Sequence, residues 1–273
     1  MTTHTLSGIR MDDLSSEELD IHLRGWLAGT EGRMIATPNP EFLLQSRRDP
    51  AFQALLNGSD LSLPDGVGLC YAIAASGTER LQYRHTGVDV LLHLAALCQE
   101  MHVPLLLLGG GPGSAEGTAE YLKQAVPGIS VFATDPGTIE GNTVSVSISG
   151  ELIEFMNRLH PTVLAVGLGQ GKQERFIRDV LPFVPSVRIA IGVGGALDML
   201  SGGRPRAPLG WRRAGFEWLW RLWIEPRRAR RILRASVVFP TVVAWGKLRE
   251  GGFLSACGRV FQEIIRQWKN ASL

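Results

Sequence analysis

The chain has 273 residues, of which 45% are hydrophobic and 20% charged, with a formal net charge of +2. This is globular composition that excludes a disordered chain, and no apolar run reaches the ~20 residues of a membrane-spanning helix. The leading MTTHTLSGIRMDD lacks an apolar signal-peptide core, Cys70, Cys98 and Cys257 form no CxxC pair, and the six histidines match no metal-ligand spacing. A cytoplasmic protein without structural disulfides or a thiolate metal site is therefore expected.

In chain order, SSEEL at 15–19 is a capping box that opens a helix to about Ala28. RMIAT (33–37) reads as a short strand. PEFLLQSRRDPAFQALLNG reads as helix with a break before Pro50. LSLP (61–64) is a strand, 66–76 is apolar enough for a buried helix, and Gly87 to Glu100 is a second helix. From there strands and helices alternate. VPLLLLGG (103–110), ISVFAT (129–134), TVLAVGLG (162–169) and VRIAIGVGG (187–195) are strands, and SAEGTAEYLKQAV, 149–159 and KQERFIRDVLPF are helices. Strands that are near-continuous apolar runs, separated by helices, predict an α/β fold: a Rossmann-like parallel sheet covered on both faces.

Past Trp211 the character changes. Residues 201–273 hold 15 Lys and Arg against 4 Asp and Glu, whereas the preceding 200 hold 13 and 22. Six of the seven tryptophans, Trp211, Trp218, Trp220, Trp223, Trp245 and Trp268, also lie here. The segment reads as helical, interrupted at Pro226 and Pro240. The expected organisation is an α/β body over 1–210 and a basic, Trp-rich helical appendage over 211–273.

Ligands of open parallel sheets bind beyond the carboxyl ends of the strands. TPN (37–39), PDG (64–66), GGGPGS (109–114) and GLGQGKQE (167–174) lie at such ends. GGGPGS, which contains Gly110, resembles a dinucleotide turn but has Ser114 where GxGxxG ends in glycine. It is either a tight strand-to-helix turn or a phosphate contact at a helix N-terminus. Asp65 is either the N-cap of the following helix or a general base, and position alone favours the cap. Lys172, Glu174 and Arg175 read as a solvated first helical turn, and Gln173 as an uncharged amide suited to sugar hydroxyls.

TPNPEFL (37–43), LPDGVGL (63–69), RHTGVDV (84–90), LLGGGPG (107–113), GLGQGKQE (167–174), GVGGALDMLSG (192–202), RAP (206–208) and FEWLWRLWIEPRRARR (216–231) occur in this order. Together they resemble the bacterial WecG/TagA/CpsF glycosyltransferase family over most of the chain. The resemblance implies inverting, metal-independent transfer of a sugar from a UDP-sugar, N-acetylmannosamine or its uronic acid being the best-known donors. The implied acceptor is N-acetylglucosamine on undecaprenyl diphosphate, in cell-surface polysaccharide synthesis. By the same resemblance Asp65 is the catalytic base, with Thr37 and Asn39 beside the reacting sugars. Arg84, Gln173 and Asp198 are further pocket residues, and Arg221, Arg228 and Arg231 engage the diphosphate. One departure is Gly171, where the family usually has proline.

Inverting transfer needs one base on the acceptor hydroxyl and positive charge on the departing diphosphate. The chain contains no DxD motif, so arginines and helix N-termini are expected in place of a divalent metal, and no cofactor. For the appendage, nucleic-acid binding would call for a fold motif that is missing, and a solvated face does not explain four tryptophans within 211–223. An anionic membrane surface accounts for both the rings and the charge, which places the protein peripherally on the inner face of the cell membrane. Arg221, Arg228 and Arg231 are spaced for one helix face, with Pro226 between the first and the other two. A Rossmann-type oxidoreductase and a non-catalytic membrane adaptor are the alternatives, and homo-oligomerisation is left open.

Overall fold

A computed structural model describes residues 1–77, 79–136, 149–202 and 233–271, together with Pro208, Trp211, Leu219, Trp220 and Trp223. Six strands form one parallel sheet: β3 (Arg33–Ala36), β4 (Leu61–Ser62), β5 (Leu105–Gly109), β6 (Val131–Thr134), β7 (Val163–Gly167) and β8 (Ile189–Gly192). Their order across the sheet is β4-β3-β8-β7-β5-β6. Successive strand residues point to opposite faces, and each face buries its own cluster. Leu105, Leu107, Val163, Ala165, Ile189 and Ile191 pack with α1 (Ser16–Ala28), α5 (Gly87–Glu100) and α6 (Ser114–Ala125). Leu106, Leu108, Leu164, Val166 and Ala190 pack with α2 (Pro40–Ser46), α3 (Pro50–Asn57), α4 (Val67–Ser76), α7 (Gly150–Leu159) and α8 (Lys172–Val180). The expected α/β architecture is thus observed. Apolar runs appear because both faces of every central strand are covered, and each buried Leu or Ile contributes about 1.5–3 kcal/mol.

The helix starts at Ser15 and Pro50 are observed. Ser15 Oγ accepts from Glu18 N at 3.1 Å while the Glu18 carboxylate accepts from Ser15 N at 2.8 Å, which completes the capping box. Asp49 caps α3 by accepting from Phe52 N at 3.0 Å, and Pro50 occupies the first turn, where its missing N–H costs nothing.

An N-terminal hairpin was not anticipated. Strands β1 (Thr2–Leu6) and β2 (Ile9–Asp13) pair antiparallel through Ser7 and Gly8, both at positive φ, the geometry of a tight two-residue turn. Its second strand ties down the segments that flank the carboxyl end of β4. Asp12 accepts from Ser62 N at 2.9 Å, and Asp13 accepts from Gln82 N and Tyr83 N, each at 2.8 Å.

Near the C-terminus, Arg234–Val238 is π-helical and runs directly into α10 (Phe239–Arg249). The expected interruption at Pro240 is therefore a change of winding and not a break. The proline is the second residue of α10, where it lacks the N–H that would bond back into the preceding turn, and the chain just before it is π-wound. Helix α11 (Phe253–Ala271) lies along α4 with its polar residues turned inward. Arg259 donates to Ala74 O and Ala75 O at 2.9 Å, satisfying the last carbonyls of α4, and Arg266 donates to Leu81 O at 2.7 Å while paired with the buried Glu263. The apolar stripe faces outward: Leu254 is 86% exposed, Phe261 63% and Trp268 59%.

Candidate active site

In the sheet, β5 leads outward to β6 while its neighbour β7 leads the opposite way to β8. Adjacent strands whose connections diverge open a crevice at their carboxyl ends. Gly109 and Gly167 are opposite one another at that point, and Gly110 N donates to Gly167 O at 2.9 Å. A cavity of about 340 Å³ lies there, within the size range of small-molecule sites. Thr37, Asn39, Asp65, Gly110, Gln173 and Asp198, all singled out in the sequence, line it.

Each of these side chains is placed by the element it terminates. Thr37 follows β3 and donates through Oγ1 to Gly192 O at 3.2 Å, across to the end of β8. Asn39 caps α2, its Oδ1 accepting from Glu41 N at 2.9 Å and Phe42 N at 3.2 Å, so its amide N–H groups are what it offers a ligand. Asp65 follows β4, where its N–H donates to Pro38 O at 2.8 Å and draws LPDG against TPN. Of the two readings open for Asp65, the helix cap is not observed: the N-cap of α4 is Gly66, at φ +100, with no side-chain cap bond. Asp65 is half-buried on the cavity wall instead.

Asp198, in α9 (Ala196–Leu200), is committed differently. Its Oδ1 accepts from Gly111 N at 2.8 Å and Ser114 Oγ at 2.9 Å, which fixes the GGGPGS turn from across the crevice. A carboxylate already occupies the amides at the head of α6, so the turn serves first as a held strand-to-helix junction.

The first turn of α8 also corrects an expectation. Lys172 is exposed, but Gln173 is 2% exposed, Glu174 1%, and Arg175 is buried as well. Arg175 donates to Asp49 at 2.7 Å and to Gly171 O at 2.9 Å, and lies over the Phe52 ring. Glu174 accepts from Gly171 N at 2.6 Å and from Gln173 Nε2 at 2.7 Å. Burial pushes its carboxyl up to about 7. Gln173 Oε1 in turn accepts from Gly194 N at 3.0 Å. The amide rests on Gly192, where a Cβ would come within 2.4 Å of Gln173 Nε2. The turn is buried because α3 and three strand ends surround it, which a local polar pattern does not reveal.

Arg84 is half-buried two residues ahead of Thr86 and its charge is felt at Cys70 of α4, but it is not among the lining residues. Arg221, Arg228 and Arg231 lie outside the described residues, as do Trp218 and Pro226. Thr86 lines the cavity and was not picked out in the sequence, although T-x-x-D was legible as a cap: its Oγ1 accepts from Asp89 N at 3.2 Å. Phe42, Gln170 and Met199 also line the cavity; each lies within a quoted sequence block, where nothing separates it from its neighbours. The described lining therefore holds two carboxylates, several amides and hydroxyls, and no lysine or arginine.

The glycosyl transferase WecG/TagA/CpsF family matches residues 4–252 of this chain. Among curated proteins, the chain is 29% identical over 208 residues, 76% of its length and 77% of the relative's, to a protein of Bacillus spizizenii (strain ATCC 23059 / NRRL B-14472 / W23). It is likewise 29% identical over 202 residues, 74% of its length and 75% of the relative's, to one of Bacillus subtilis (strain 168). Both relatives are named N-acetylglucosaminyldiphosphoundecaprenol N-acetyl-beta-D-mannosaminyltransferase.

Proposed function

The chain belongs to the WecG/TagA/CpsF family of glycosyl transferases, and from that premise we propose that it moves N-acetylmannosamine, or the corresponding uronic acid, from a UDP-sugar to N-acetylglucosamine on a polyprenyl diphosphate. The observation that carries this reading is the convergence of Thr37, Asn39, Asp65, Gln173 and Asp198 on one cavity at the sheet's switch point. Neutral amides and hydroxyls suit sugar hydroxyls, and a carboxylate among them suits deprotonation of an acceptor. The oxidoreductase and adaptor alternatives lose their ground with family membership.

Of the two carboxylates, Asp65 is the better base. Asp198 is already committed to the GGGPGS turn, its Oδ1 accepting from Gly111 N and Ser114 Oγ. In the proposed step Asp65 takes the proton of the acceptor hydroxyl, and that oxygen bonds to the anomeric carbon of the donor. The bond from that carbon to the UDP oxygen breaks, and its electron pair leaves with the diphosphate. Attack opposite the leaving group inverts the anomeric centre, in keeping with the beta configuration in the relatives' names.

The leaving diphosphate needs positive charge that the described lining lacks. Arg221, Arg228 and Arg231 are assigned that role, so the C-terminal segment completes the site and also docks it on the membrane. No described helix is long and apolar enough to cross a membrane. The outward stripe of α11, with Trp268 and the nearby Lys269, suits an interfacial position at an anionic leaflet, where a lipid-linked acceptor would be met. The test is UDP release across a panel of UDP-sugars with an N-acetylglucosaminyl-diphospholipid, followed by product mass. Release that depends on the acceptor and adds one N-acetylhexosamine or one N-acetylhexosaminuronic acid supports the reading. Absence of acceptor-dependent release with every donor overturns it.

A further inference from the structure

Gln173 is a ring of contacts rather than a lone amide. Its Nε2 donates to Glu174 Oε1 at 2.7 Å, and its Oε1 accepts from Gly194 N at 3.0 Å. The two ends are not interchangeable. A flipped amide would aim its oxygen at a carboxylate and its N–H₂ at another N–H, so two attractive contacts would become two repulsive ones. Gly192 floors the site so closely that the amide cannot slide aside. One N–H of Nε2 and one lone pair of Oε1 are left for the cavity that Gln173 lines.

We propose that Glu174 is the positioning residue of this site: its carboxylate selects the one amide orientation in which Gln173 meets the donor sugar. The inference rests on the transferase reading above and adds a residue that does not itself line the cavity. The same carboxylate closes the preceding loop, since its second oxygen accepts from Gly171 N at 2.6 Å. This bond requires a residue with an N–H, and Gly171 sits at φ +82, which proline cannot adopt. The positive-φ backbone of Gly171 and the buried carboxylate are thus parts of one arrangement. The loop gains an anchor on the group that orients Gln173, while Arg175 holds the Gly171 carbonyl from the other side.

Both neighbours of Glu174 donate to it, so the described geometry belongs to the ionised carboxylate. The charged side chain facing it is Arg175, itself paired with Asp49 at the head of α3, and Gln45 of α2, near Gly171, is uncharged. Protonation would turn one acceptor into a donor. Gln173 Oε1 could then accept from the acid, and Gly194 N–H would lose its partner. With burial holding the carboxyl at about 7, the orientation responds to pH in the neutral range.

The experiment uses the full chain and its Glu174→Gln variant, with kcat and donor KM measured on both sides of neutrality. Side-chain amide resonances of Gln173, assigned by their loss in Gln173→Ala, are followed by NMR over the same range. In the wild type, kcat/KM for the donor should rise through about pH 7 and the Gln173 resonances should titrate with it. In Glu174→Gln both responses should vanish, and kcat/KM above neutrality should fall roughly 10- to 10²-fold, as for a displaced positioning group. A pH limb that persists in the variant belongs to another group and overturns the proposal. So do Gln173 resonances that do not respond to pH in the wild type, a readout that needs neither turnover nor a folded Glu174→Gln variant. Failure of the transferase reading itself is distinct: it shows as a wild type inactive with every donor.

Discussion

Replacing Gly192 with alanine tests whether Gln173 is held where the chemistry needs it. The new Cβ would lie 2.4 Å from Gln173 Nε2, 2.8 Å from its Cδ and 2.9 Å from its Cγ, about 1 Å short of ordinary contact. Gln173 has no slack, since it is buried between Gly192, Gly194 and Glu174. Its amide must leave, and with it go one neutral hydrogen bond of about 1 kcal/mol and one to a carboxylate of about 1.5–3 kcal/mol. A loss of about 2–4 kcal/mol should lower Tm by roughly 5–15 °C in a chain of this size. Transfer should fall about 10²-fold, the effect of a 1 Å misplacement at a reacting centre. Thermal unfolding followed by circular dichroism and UDP release with the lipid-diphosphate acceptor measure the two. A variant with wild-type Tm and turnover would refute the reasoning, because it would mean the amide is neither clamped nor needed.

The remaining expectations concern metal, membrane and proton linkage. Transfer should persist in excess EDTA if guanidiniums neutralise the diphosphate, and loss restored by Mg²⁺ or Mn²⁺ would replace them with a metal. Leu254→Glu with Phe261→Glu should abolish flotation with anionic vesicles yet spare turnover on a short soluble acceptor, since both side chains point outward from α11. Unchanged flotation would move the docking surface elsewhere. Glu174 binds its proton in the folded chain at pH values where the unfolded chain has released it. Stability should therefore decline as pH rises from about 4.5 to about 7, by on the order of 3 kcal/mol. Urea unfolding should show this decline in the wild type and not in Glu174→Gln, and equal slopes would remove Glu174 as its source.

How much could be seen in the sequence depended on whether burial was local or tertiary. The central strands were legible because LLLL and VLAV are apolar on both faces, which only a covered parallel sheet demands. The cap at Ser15 and the break before Pro50 were equally local. The β1–β2 hairpin escaped because TTHTL and IRMDD are mixed in polarity, and its turn, Ser-Gly, is a weak signal. Position favoured a cap at Asp65, but Gly66 takes that place once LPDG is drawn onto Pro38 O. KQER looked like a solvated turn because nothing in four residues announces that α3 and the ends of β3, β7 and β8 close over it. The cavity residues were found mainly through ordered motifs at strand ends. Glu174, which holds one of them in place, is indistinguishable in sequence from a surface residue of a first helical turn.

The central claim is that Asp65 removes the proton from the acceptor hydroxyl, and a single comparison tests it. Transfer by Asp65→Asn is measured against wild type, with UDP-N-acetylmannosamine and an N-acetylglucosaminyl-diphospholipid, alongside the affinity of each protein for UDP. Asparagine keeps the size of the side chain and removes its basic charge, and Gly66, not residue 65, caps α4, so the fold should hold. The expected result is a loss of roughly 10²–10⁴-fold in kcat with UDP affinity little changed. Near-normal turnover by a folded Asp65→Asn protein would contradict the claim and assign the proton to another group.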